Sequence, residues 1–107
     1  MSALPTTNYI GFESLNDIKK LPLAVVIQRG KEVKVYRVEG EESRNYFNYF
    51  SDPFLRFGPV EEITKKLGKE ISKESFLNAK VFPAQMGTDG QGNEYIIYRA
   101  RFKEDNS

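Results

Sequence analysis

The side chains that most often carry enzyme chemistry are missing from this sequence of 107 residues, which contains no His, no Cys and no Trp. Without His, no side chain has an unperturbed pKa between about 5 and 8, so the commonest general base and metal ligand is missing. Without Cys, there is neither a thiolate nucleophile nor a disulfide. We therefore predict a protein that is not an enzyme and that holds no cofactor and no metal ion.

The carboxylates offer two patterns that are found in metal sites, and each lacks a necessary part. Residues 89–93 place oxygen donors at alternate positions, but Glu94 stands where a calcium loop needs its glycine and Ala100 where it needs a bidentate glutamate. Glu32 and Lys34 form the Glu-x-Lys pattern of metal-dependent nucleases, which also needs a carboxylate on a neighbouring strand. The nearest upstream acid falls in a predicted helix. A carboxylate-dependent metalloenzyme is therefore the least favoured function.

The most distinctive feature of the chain is a cluster of aromatic side chains. Six of its fourteen aromatic residues lie within twelve consecutive positions: Tyr46, Phe47, Tyr49, Phe50, Phe54 and Phe57. A helix of about ten residues has one inward stripe, about 100° wide, and cannot bury four rings against one core. Either the following loop folds over these rings, or some of them form a surface for a partner.

The favoured function is a non-catalytic protein–protein interaction module, such as an accessory subunit or a small inhibitor, that docks through residues 44–57. Two arginines flank the aromatic cluster, and Tyr and Arg are both enriched at interface hot spots. A homodimer built on this surface or on a strand edge is a second form of the same hypothesis. The predicted partner-binding residues are Arg44, Tyr46, Tyr49, Phe54, Arg56 and Phe57.

The last predicted strand suggests an alternative partner. Its alternation places Ile96, Tyr98, Ala100 and Phe102 on one face and Tyr95, Ile97, Arg99 and Arg101 on the other. If the first face is the core, the second is a stacking and phosphate-binding platform for single-stranded nucleic acid. The net charge of +1 disfavours long-range attraction to nucleic acid, so this hypothesis ranks second. Its predicted residues are Lys34, Tyr95, Arg99 and Arg101.

Apolar periodicity and turn residues predict the strands that position these side chains. Residues 23–27 are apolar at every position, which predicts a central strand covered on both faces. A glycine-containing turn connects it to a second strand at residues 32–38. Residues 80–86 and 95–102 predict a second hairpin, in which Pro83 indicates an edge strand or a bulge.

Capping residues and charge placement predict the helices, which span residues 14–20, about 41–51 and 59–67. Gly68 is the expected stop of the third helix, and Ser72 is the expected cap of a further helical turn unless the chain enters the next strand directly. Glu61 and Lys65 are spaced as an i, i+4 pair on a solvated helix face.

The predicted fold is α+β: a small single domain in which two antiparallel β-hairpins form a sheet, with two or three helices packed on one face. The domain spans residues 11–102, between flexible tails at residues 1–10 and 103–107. The longest apolar run, residues 23–27, is too short to cross a membrane, and the amino terminus lacks a basic segment followed by an apolar stretch. We therefore expect a cytoplasmic protein without a membrane partner.

Overall fold

A computed structural model describes the backbone of residues 15–51, 60–88 and 92–103, and the side chains of residues 17–48, 60–88 and 92–103. The elements, in chain order, are helix α1 (Leu15–Lys19), strands β1 (Leu23–Arg29) and β2 (Glu32–Val38), a 3-10 turn (Gly40–Glu42), helices α2 (Ser43–Ser51) and α3 (Val60–Leu67), strand β3 (Gly68–Ile71), helix α4 (Lys73–Leu77), and strands β4 (Lys80–Thr88) and β5 (Glu94–Arg101). The α+β class is confirmed.

The strands form one antiparallel sheet in the order β3-β2-β1-β5-β4. Strand β1 lies at its centre, where Val25 is opposite Tyr36 of β2 on one side and Ile97 of β5 on the other. Strand β3 was not predicted, because its sequence is short and polar. Helix α3 passes directly into β3 at Gly68, where an added Cβ would lie 2.2 Å from the carbonyl oxygen of Arg37.

The sheet is covered by helices on both faces. Leu23, Val25 and Ile27 of β1 belong to one apolar cluster, which α2 and α3 cover, whereas Ala24 and Val26 belong to a second cluster that contains residues of α4. The prediction that all helices pack on one face is therefore wrong. The physical reason is the apolar run in β1, because a strand that is apolar on both sides needs cover on both sides.

The edge strand β4 has both features that Pro83 indicated. It is an outer strand of the sheet, and its register with β5 shifts between Pro83 and Gln85. A proline has no backbone N–H to donate, so it fits an edge and a bulge better than a central position. Phe82 and Met86 of this strand are exposed to 37% and 69%.

Short-range hydrogen bonds define the ends of two helices. The Ser72 side chain accepts a bond of 3.1 Å from the backbone N–H of Ser75 and caps α4, as predicted. Ser43 Oγ donates to the Gly40 carbonyl oxygen at 2.8 Å at the start of α2.

No described helix has the length and apolar character needed to cross a membrane. The two predicted tails lie outside the described residues, except Lys103.

Candidate functional site

The predicted docking segment, residues 44–57, is described only in its first part. Arg44 is exposed at the surface of α2, whereas Tyr46 is fully buried, with 0% of its area exposed. Phe47 is half-buried against the core. The remaining predicted contact residues have side chains outside the described part of the chain: Tyr49, Phe54, Arg56 and Phe57.

Tyr46 is a core residue, so its prediction as a surface anchor is wrong. Thr64 Oγ1 donates its hydrogen to the carbonyl oxygen of Val60 at 2.7 Å, and Tyr46 Oη lies 3.0 Å from Thr64 Oγ1. The Thr64 hydroxyl has one hydrogen, so Tyr46 is the donor of the second bond. Burial raises the pKa of Tyr46 well above its usual range. Tyr46 therefore joins α2 to α3 inside the protein.

Phe47 instead forms the aromatic part of a surface site together with Arg99 of β5. The guanidinium carbon of Arg99 lies over the Phe47 ring, 5.4 Å from its centroid. Arg99 Nη1 also donates to the Leu21 carbonyl oxygen at 3.2 Å. Arg99 is half-buried, and this burial lowers the pKa of its guanidinium. The fold thus joins a residue of the predicted docking segment to one of the predicted nucleic-acid platform.

Arg99 borders a concave region that we call the basic groove, defined by Lys19, Lys20, Arg44, Phe47 and Arg99. The groove has a volume of about 670 Å³ and lies between the end of α1, the start of α2 and Arg99 of β5. The other described residues of its lining are polar or glycine: Gly40, Glu41, Ser43, Asn45 and Asn48. Among the described residues, four positive side chains and one carboxylate therefore line one concavity.

None of the four groove cations forms an ion pair with a carboxylate of the described residues. Arg37 shows the contrast on the opposite side of the sheet. Its guanidinium carbon lies 4.6 Å from the centroid of the Phe102 ring, as Arg99 lies over Phe47, but Arg37 also pairs with Glu39. Arg99 has the same kind of aromatic contact without the neutralising carboxylate.

The other residues of the predicted nucleic-acid platform do not join Arg99 in an exposed face. Tyr95 is 5% exposed and belongs to the apolar cluster under α2 and α3, which corrects the expectation that its ring is free to stack. Lys34 lies near the opposite end of the sheet, beside Ile27, and pairs with Glu61 at 3.6 Å. Arg101 is half-buried near the end of β5. The platform is interrupted because helices cover the face that the alternation pattern left open.

A second polar cluster surrounds Glu61, whose partners differ from those that helix spacing predicted. Tyr36 Oη donates to Glu61 Oε2 at 2.6 Å, while Lys34 Nζ and Arg29 Nη2 lie 3.6 Å from its carboxylate oxygens. The Tyr36 hydrogen bond lowers the pKa of Glu61, and burial together with that bond raises the pKa of Tyr36. Lys34 and Arg29 balance the charge of the Glu61 carboxylate. The cluster therefore connects α3 to the first hairpin.

The described residues contain no group of three or more acidic side chains that could hold a metal ion. The basic groove was missed by sequence reasoning because its cations come from α1, α2 and β5, and no local spacing relates them. Arg99 and Phe47 are visible in the sequence, but the contact between them depends on tertiary structure. Comparison with protein-family models, with curated proteins and with solved structures finds no match, so the groove is interpreted from its own geometry.

Proposed function

We propose that the protein is a non-catalytic protein-binding module, acting as an accessory subunit or a small inhibitor, and that it contacts its partner at the basic groove and the adjoining part of β4. The observation that carries the proposal is Arg99, a half-buried cation that lies over Phe47 and has no carboxylate partner among the described residues. Arginine and aromatic side chains are enriched at the energetic centres of protein interfaces.

The exposed edge of the sheet extends this surface. Phe82 of β4 lies directly opposite Arg99 of β5 in the strand register, so both side chains are on the same face of the sheet. Phe82 is 37% exposed. Arg99 is therefore next to Phe47, whose ring it covers, and next to Phe82 on the neighbouring strand. The proposed surface consists of Arg44, Phe47, Arg99 and Phe82. This retains the predicted role of Arg44 and replaces the buried Tyr46 by Phe47.

The test compares capture of a partner by variants of this surface. The protein is immobilised, extract of the source cell is treated with nuclease, and bound proteins are identified by mass spectrometry. We expect Arg44→Glu and Phe82→Ser each to remove a partner that the unchanged protein retains. Met86→Ser is the matched control, because Met86 is an exposed apolar residue of the same strand that lies opposite Ile96, on the other face.

Three results would contradict the proposal: no retained protein, equal retention by all variants, or a retained protein that disappears after nuclease treatment. The last result would favour the nucleic-acid hypothesis. Cooperative thermal unfolding of each variant shows whether a lost partner reflects a lost contact or a lost fold.

A further inference from the structure

The arrangement of charge in the basic groove indicates the chemistry of its ligand. Lys19, Lys20 and Arg44 are exposed, and Arg99 is half-buried. Glu41, the one carboxylate among the described residues of the lining, pairs with none of these four cations. Like charges around one concavity repel each other, and an anion placed between them removes that repulsion.

The positive charge of the groove is local. The chain as a whole has a net charge of +1, with 16 basic and 15 acidic residues. The excess of positive charge in the groove is therefore offset by acidic residues in other parts of the chain. Nucleic acids bind through many phosphates along an extended basic surface. A confined group of four cations matches a short anionic segment better than a long polyanion.

The rings near the groove also disfavour single-stranded nucleic acid. Phe47 is in T-shaped contact with Tyr46, with centroids 5.9 Å apart, and carries Arg99 over its ring. Tyr95 is buried under the helices. Base recognition on single strands depends on several rings that are free to stack. Phe47, the ring in the described lining of the groove, is covered by Arg99, and the exposed ring of Phe82 lies outside that lining. Its polar lining instead has two amide side chains, Asn45 and Asn48, which can donate to carboxylates and to peptide carbonyl groups.

We propose that the basic groove binds an acidic segment of a protein partner, with an Asp or Glu carboxylate of that segment paired with the Arg99 guanidinium and further carboxylates facing Lys19, Lys20 and Arg44. The planar fork of an arginine pairs with a carboxylate through two parallel hydrogen bonds. Phe47 packs against the guanidinium, which leaves the N–H groups at its edge to pair with the ligand. This inference rests on the proposed function and adds the chemistry of the partner to it.

The probe is a fluorescein-labelled hexaglutamate peptide, and its binding to the full chain is followed by fluorescence anisotropy. We expect saturable binding that weakens when the salt concentration rises from about 50 mM to about 200 mM, because exposed ion pairs are screened. Amide chemical shifts are expected to move at residues 19–20, 43–48 and 99. No saturation at low salt, or shifts confined to other residues, would overturn the proposal.

Charge variants locate the binding. Arg99→Gln and Lys20→Glu are each expected to weaken the peptide about tenfold, which corresponds to loss of one favourable ion pair at the contact. Lys65→Glu is the matched control, since it makes the same charge change on an exposed position of α3, away from the groove lining. If Arg99→Gln fails to fold, Lys20→Glu provides the test. Equal weakening by Lys20→Glu and Lys65→Glu would show attraction to overall charge and would overturn the proposal.

Two further arms separate this proposal from its competitors. An oligothymidylate that binds more tightly than hexaglutamate at the same salt concentration would identify a nucleic-acid site and overturn the acidic-segment proposal. Inorganic phosphate that displaces the peptide at equal charge concentration would identify a phosphate site and overturn it as well. The capture experiment with Phe82→Ser does not depend on groove charge. A partner lost in that experiment while hexaglutamate fails to bind would therefore leave the interaction module standing without the acidic ligand.

Discussion

Replacement of Glu61 by Gln tests how the polar cluster between α3 and the first hairpin stabilises the fold. The Glu61 side chain is 14% exposed and accepts a hydrogen bond of 2.6 Å from Tyr36, with Lys34 and Arg29 each 3.6 Å away. Gln has nearly the same shape and can still accept the Tyr36 hydrogen bond. The substitution therefore removes the negative charge and little else.

The magnitude follows from the two kinds of contact that the charge makes. A hydrogen bond to a charged group contributes about 1.5 to 3 kcal/mol, against about 1 kcal/mol for a neutral pair. The ion pair with Arg29 adds a few tenths of a kcal/mol, because the Arg29 side chain is 59% exposed and solvent screens it. We expect Glu61→Gln to reduce the free energy of unfolding by about 1 to 2 kcal/mol at neutral pH. In a domain of this size the melting temperature falls by about 5 °C for each kcal/mol.

The pH dependence distinguishes a charge effect from a packing effect. The Tyr36 hydrogen bond lowers the pKa of Glu61 in the folded protein below its ordinary value of 4.5, so folding favours the charged carboxylate. The stabilisation is complete above the unfolded pKa and is lost as the pH falls through the folded pKa. We therefore expect the stability difference between the unchanged protein and Glu61→Gln to be full at about pH 7 and to decrease as the pH falls below about 4.

The assay is urea unfolding, followed by circular dichroism, across this pH range. Glu62→Gln is the matched control, because Glu62 is the exposed neighbour of Glu61 on α3, and we expect it to change the stability by less than about 0.5 kcal/mol. A difference in unfolding free energy between the unchanged protein and Glu61→Gln that is the same at acid and neutral pH would refute the charge argument. A double-mutant cycle of Glu61→Gln and Tyr36→Phe with additive effects would also refute it, because residues in contact show coupling.

Substitutions at Tyr46, Ser72 and Gly40 test the core and the connections, with Gly30→Ala as the comparison for Gly40→Ala. Tyr46→Ala is expected to cost about 3 to 5 kcal/mol in urea unfolding, because the ring is buried. Tyr46→Phe keeps the ring, loses the hydrogen bond to Thr64, and is expected to cost about 1 kcal/mol. A Tyr46→Ala variant of unchanged stability would show that the ring is not part of the core. Ser72→Ala is expected to cost about 1 kcal/mol through loss of the α4 cap, and an unchanged midpoint would contradict this. Gly40→Ala is expected to lower the melting temperature more than Gly30→Ala does. An added Cβ at Gly40 would lie 2.3 Å from the Lys20 carbonyl oxygen, whereas Gly30 has open space and only an unfavourable φ of 60°; the reverse order would contradict this contact.

Local pattern was sufficient for most of the elements. The strands around residues 23–29 and 32–38 follow from β-branched and apolar residues on each side of a glycine turn, and the cap at Ser72 follows from one side chain. Pro83 lacks a backbone donor and therefore indicated an edge strand or a bulge, and the structure has both. The short strand β3 carries no such signal, since Gly68–Ile71 becomes a strand by pairing with β2.

Burial of individual rings was beyond local pattern. One inward stripe on α2 cannot bury four rings against one core, so two outcomes were open: a loop folded over the rings, or a surface for a partner. Local pattern contains no information on the second surface that α3 offers. Tyr46 is buried because Thr64 of α3 accepts its hydroxyl, and these residues are 18 positions apart.

By itself the sequence determined the α+β class, the position of the main elements, and the absence of His and Cys chemistry, because composition and periodicity act over a few neighbouring residues. Only the tertiary structure decided which charges are balanced. Arg37 and Arg99 are each a strand arginine beside a ring. Arg37 pairs with Glu39, which is only two residues away in the chain, whereas folding brings three further cations from α1 and α2 to Arg99. Electrostatic interaction depends on distance in space, and that distance is set only when α1, α2 and β5 meet.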